Sequence, residues 1–128
     1  DGYVYVFLEG GYRNHHLKVG RVKPNNIEIF NEYNIEDCSK YIKNAVDTGA
    51  VIKNLDAVVT IDSFPLHISG AVGIKTYIIL PVFSEWRWFD DTKTTPWYNS
   101  AIIYKQTETE NIGFIIERLK VDLQKELC

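Results

Sequence analysis

LDAVVTIDSFPLHISGAVGIKTYIILPVFSEWRWFDDTKTTPWY, residues Leu55 to Tyr98, holds an apolar strand, a polar helix start, a glycine-punctuated helix and a second strand in one unit. Ala57 to Ile61 is a short β-branched run of the kind that is buried in a parallel sheet. Asp62-Ser63 follows at once, and both are residue types that cap helix N-termini. A helix that starts at the carboxyl end of a parallel strand points its free N–H groups where open α/β sheets bind anions and phosphates. The same two residues also read as a plain cap that binds nothing. Gly73 suits the left-handed residue after a helix, Thr76 to Leu80 reads as another buried strand, and Pro81 stops it.

Outward from this unit, the elements keep alternating. Tyr3 to Leu8 is a strand of aromatic and β-branched residues, closed by Glu9-Gly10-Gly11. Tyr12 to Asn26 is basic and irregular and reads as a surface loop, with Pro24, Asn25 and Asn26 turning the chain before a short strand over Ile27 to Phe30. Asn34 to Asn44 is ambiguous and reads at most as a turn of helix, and Asp47-Thr48 is expected to cap a short helix through Ala50, Val51, Ile52 and Leu55. Ala101 to Tyr104 is a further strand. Thr107 and Glu110 have capping-box spacing, and Ile112, Ile115, Ile116, Leu119 and Leu123 fall on one face of a closing helix. Strands alternating with helices predict a layered α/β domain with a parallel sheet.

With 128 residues, 45% hydrophobic and 24% charged, the chain is expected to form a single domain over 1–128. A net charge of −3 gives no basic footprint for nucleic acid and no electrostatic attachment to a membrane. No apolar run is long enough to cross a bilayer and no signal peptide is visible, so a cytoplasmic location is expected. Cys38 and Cys128 have no Cys or His at ligand spacing, which makes reduced thiols the simpler reading and metal binding unexpected. No Met occurs anywhere, which suggests a chain cut from a longer protein, N-terminally truncated, or processed.

The central motifs resemble a known family. Asp47-Thr48-Gly49-Ala50-Val51-Ile52, then Leu55 through Ser63, then His67-Ile68-Ser69-Gly70-Ala71-Val72-Gly73, look like the carboxy-terminal domain of the heptosyltransferase-like glycosyltransferases. Trp86-Arg87-Trp88 and Pro96-Trp97-Tyr98 are similar to pieces of the branch often fused to tetratricopeptide repeats. The resemblance implies a Rossmann-like parallel sheet flanked by helices, the donor half of a GT-B glycosyltransferase. It implies a nucleotide diphosphate sugar as donor substrate, without a metal or other cofactor, and as partners an amino-terminal acceptor domain that 128 residues cannot hold and tetratricopeptide repeats in a full protein. Residue by residue, it assigns the diphosphate to Asp62, Ser63, Phe64 and His67. Glu9, at the end of the first strand, is a candidate for a ribose hydroxyl, although an exposed strand-end carboxylate is the commoner case. The alternative is an interaction module that keeps the fold and has lost the site, its pocket blocked by Phe64 or Trp86.

Other candidates read more simply. Trp86, Trp88, Phe89, Trp97 and Tyr98 suit either stacking on a base or sugar, or sealing a loop onto the core. His67, among apolar neighbours, is either a structural histidine or a phosphate donor. Asp90-Asp91 reads as a solvated loop pair, and His15-His16, with Arg13 and Lys18, reads either as a solvated loop or, in a two-domain enzyme, as a face toward the acceptor; the histidines lack a third ligand. If Tyr3 to Leu8 is the family's second strand, the sheet lacks its middle; alternatively it serves as the first strand itself.

Overall fold

The computed structural model describes residues 4–9, 17–22, 35–37, 41–89 and 93–127. Six strands form one sheet: β1 (Val4–Glu9), β2 (Leu17–Val22), β3 (Ile35–Asp37), β4 (Val58–Thr60), β5 (Thr76–Leu80) and β6 (Ala101–Lys105), in the order β3-β2-β1-β4-β5-β6. β4 is parallel to β1 and to β5, and β5 is parallel to β6. Helices α1 (Ala45–Lys53), α2 (Phe64–Val72) and α3 (Ile112–Leu127) complete an α/β fold of the Rossmann-like kind.

Strand pleating sorts the core into two sides. Val59 and Tyr77 face α3 with Ala57, where Leu119 and Leu123 are buried and Ile79, Ile102 and Tyr104 pack alongside. Ile78, Leu80, Ala101 and Ile103 face the other way and bury Leu66 of α2 together with Trp88. Val58 packs with Ile52 and Leu55 at the end of α1, next to Ile68 of α2. The parallel strands are therefore covered on both faces, which is why they read as continuous apolar runs.

Several expectations shift. The segment expected to be a loop between Tyr12 and Asn26 contains β2, antiparallel to β1, and the ambiguous segment from Asn34 contains β3, antiparallel to β2. Backbone pairing overrides the weak local propensity of Lys18, Gly20 and Arg21 there. β1 lies between β2 and β4, so it occupies the middle of the sheet and not a vacancy beside one. The strand expected over Ile27 to Phe30, His15-His16, Asp90-Asp91 and both cysteines lie outside the described residues.

Helix ends also differ in detail. The α1 cap is Asn44, whose Oδ1 accepts from the N–H groups of Val46 and Asp47 at 2.8 and 3.0 Å. Asp47 and Thr48 lie inside the first turn, where Asp47 reaches back to the N–H of Lys43 at 2.9 Å. Before α3, Asn111 Oδ1 accepts from the N–H of Phe114, while the hydroxyl of Thr107 faces Thr109. Only part of the anticipated α3 face is covered: Ile115, Leu119 and Leu123 are buried, whereas Ile112 and Ile116 stand out in solvent. Gly73 ends α2 as expected, with φ 77°.

The outer half of α3 is tied down by polar bonds. Tyr77 donates its hydroxyl to Glu126 at 2.6 Å and Tyr104 donates to Asp122 at 2.7 Å, while Lys75 also bonds Glu126. Burial first, and then the carboxylate partners, push both phenol groups well above their ordinary range. The bonds from Lys75 and Tyr77 lower the Glu126 carboxyl below its ordinary value. Among the described residues no helix is long and apolar enough to cross a membrane.

Candidate functional site

The turn from β4 into α2 has the expected layout. Thr60 ends β4, Ser63 is extended at φ −155° and ψ 171°, and α2 begins at Phe64 with Pro65 in its first turn. Proline fits there because its fixed φ suits the first turn and its missing N–H belongs to the unpaired set. No side chain caps this helix. The N–H of Leu66 turns back to Ser63 O at 3.1 Å, and among the described residues the N–H groups of Ser63 and Phe64 have no acceptor. Two backbone donors and the positive end of the helix dipole are thus left at the carboxyl end of a parallel strand.

The Ser63 hydroxyl does not take the capping role. It lies 3.0 Å from Thr60 Oγ1 and donates to Ile61 O at 3.2 Å, so it closes the turn upon itself. Phe64 is 51% exposed and Trp86 is 77% exposed, so neither ring is packed away into the protein.

Asp62 and His67 are brought together and backed by aromatic residues from far along the chain. Asp62 Oδ1 lies 3.9 Å from His67 Nε2. Asp62 Oδ2 accepts a 2.7 Å bond from the indole N–H of Trp88. His67 Nδ1 is 2.9 Å from the Tyr98 hydroxyl, and the His67 ring stacks on Trp88 with 6.3 Å between centroids and 23° between planes. Trp88 lies in a single 3-10 turn over Trp86–Trp88, fully buried, and Trp97 donates its indole N–H to Arg87 O at 2.9 Å. The two aromatic pieces of the sequence therefore meet each other over the start of α2. They divide in role: Trp88 seals the loop onto the core, while Trp86, Phe89 and Trp97 remain exposed.

Gly70 makes this contact possible, and Ser69 beside it anchors the helix. A Cβ on Gly70 would stand 2.3 Å from Cγ of Tyr98, so only glycine lets that ring lie on the helix. Ser69 is fully buried, donates to Leu66 O at 2.9 Å and accepts from Thr76 Oγ1 at 2.8 Å. This hydroxyl chain pins α2 to β5.

Glu9 ends β1, and continuing the Tyr5–Val58 and Val6–Val59 register along the chain brings it level with Asp62, at the same end of the sheet. A separate groove runs between β6 and α3, lined by residues including Tyr104, Lys105, Phe114, Arg118 and Asp122. It lies on the opposite face from α2. Arg118 is engaged there with Glu110 and Asp122 with Tyr104, whereas the start of α2 leaves backbone donors open and is the better candidate.

No family model, curated protein or solved structure matches the chain. The function rests on its own residues.

Proposed function

We propose that the chain is the donor-binding domain of a glycosyltransferase and holds a nucleotide diphosphate sugar at the start of α2. One observation carries this reading: a helix N-terminus without a side-chain cap at the carboxyl end of β4, with Asp62 and His67 gathered beside it. The N–H groups of Ser63 and Phe64 and the His67 ring are donors suited to diphosphate oxygens. Charge that develops on the departing nucleotide diphosphate is then stabilised by fixed dipoles, while the glycosyl group passes to an acceptor hydroxyl. In this reading the acceptor and its general base belong to a partner domain. Glu9, at the same end of the sheet, is the candidate for a ribose hydroxyl.

The test is a calorimetric and thermal-shift titration of the chain with ADP, GDP, UDP and their sugars, because a ligand that binds only the native state raises the melting temperature. One diphosphate is expected to bind, and His67→Ala is expected to weaken it about tenfold, the scale of one lost hydrogen bond to a charged group. Silence across the panel in a chain that melts cooperatively would instead leave the module that has kept the fold and lost the site.

A further inference from the structure

The His67 ring lies at the centre of the candidate site. Three elements face it: Asp62 from the turn after β4, Trp88 from the 3-10 turn, and Tyr98 from the segment before β6. The titratable groups among them are the Asp62 carboxyl and the Tyr98 phenol. Nδ1 is within hydrogen-bond distance of the Tyr98 oxygen, whereas the 3.9 Å from Nε2 to Asp62 exceeds it, so Nε2 is left for a third group. Asp62 is kept from closing that gap by the Trp88 indole, which can only donate and holds Oδ2.

A neutral imidazole has one N–H, and the group on its far nitrogen decides which atom carries it. A phenol is a better donor to imidazole nitrogen than an acceptor from it. We propose that Tyr98 is a positioning residue of the diphosphate site: by donating its O–H to Nδ1 it fixes His67 as the Nε2–H tautomer. A neutral ring then offers an N–H to a phosphate oxygen, where the opposite tautomer would offer a lone pair and repel it. Gly70 is part of the device, since a side chain there would displace the Tyr98 ring. The inference rests on the donor-site reading above and adds how that site is kept ready above the pH at which imidazole is protonated.

The experiment uses the full chain labelled with 15N-histidine, with the His67 signals assigned by their loss in His67→Gln. Long-range 1H–15N spectra at pH 8 are expected to show Nδ1 unprotonated in the wild type and a mixture of tautomers in Tyr98→Phe, which keeps the ring. Titration with ADP, GDP and UDP at pH 8, and again at a lower pH at which the spectra show both His67 ring nitrogens protonated, supplies the second readout. Tyr98→Phe is expected to weaken the bound diphosphate about fivefold at pH 8 and much less at the lower pH, because a doubly protonated ring offers an N–H at Nε2 whatever its neighbour. A merely structural role would weaken binding equally at both. An Nδ1–H tautomer in the wild type, or a loss independent of pH, overturns the proposal. If the wild type binds none of the three diphosphates, the donor-site reading falls, and this role with it.

Discussion

At the scale of single residues, Gly70 shows how a local preference and a tertiary contact oppose each other. Inside a helix, alanine is better than glycine by about 1 kcal/mol, so Gly70→Ala on an isolated α2 would be stabilising. In the folded chain the new methyl meets the Tyr98 ring at its rigid base, and overpacking of that kind costs about 1–3 kcal/mol. The contact wins, so urea unfolding of Gly70→Ala is expected to show net destabilisation. The same change made in a Tyr98→Ala background is expected to reverse sign, because the clash is gone and the propensity remains. The start of α2 was legible because Asp62, Ser63, Phe64 and His67 are neighbours in sequence and Ser63 takes the N-cap position, although its hydroxyl bonds Thr60 and Ile61 and not the helix N–H groups. Their supports were not. Trp88 and Tyr98 stand out as aromatic residues, but nothing local to them says that one holds Asp62 and the other His67.

At the scale of elements, α3 is joined to the sheet by apolar contacts and by carboxylates set against tyrosines. Glu126 has its carboxyl lowered, so it adds stability above its unfolded value near pH 4.5, and that contribution is lost as the pH falls through the lower folded value. Tyr77 and Tyr104 have the opposite sense: raised phenol groups add stability that is complete below about pH 10 and lost as the pH rises beyond it. Melting temperatures across pH are therefore expected to fall at both ends. Glu126→Gln flattens the acid limb, and Tyr77→Phe with Tyr104→Phe flattens the alkaline one. Glu126 is partly exposed and bonded by a solvent-accessible lysine, so its share is small beside that of the buried Tyr77. Elements whose period is strong were readable: β5 runs over Thr76 to Leu80 and α2 starts and stops where its cap and Gly73 indicate. β2 and β3 were not: β2 carries Lys18, Gly20 and Arg21, β3 is only Ile35, Glu36 and Asp37, and strands of this kind are made by their neighbours and carry little signal of their own.

At the scale of the whole molecule, the sheet combines a parallel block with an antiparallel edge, and only the block follows from alternation of strands and helices. The candidate site sits where β4 delivers the chain to α2, with α1 and α3 on opposite sides of the sheet; this is a placement that an open α/β sheet makes available for a ligand. The pairing of β1 with β4 carries a further consequence, which concerns time. Val58 reaches Thr76 and Thr76 reaches Ala101 across single crossovers, whereas Tyr5 must wait for Val58, far along the chain. Loop closure is costlier for the distant pair, so assembly is expected to begin in the β4-α2-β5-β6 block and to seal its central seam last. Pulsed hydrogen exchange during refolding would show it: amides of β5 and β6 protected early, those bonded across the β1–β4 seam late. The β1–β2 pair would then be the final piece to join the block that carries the start of α2.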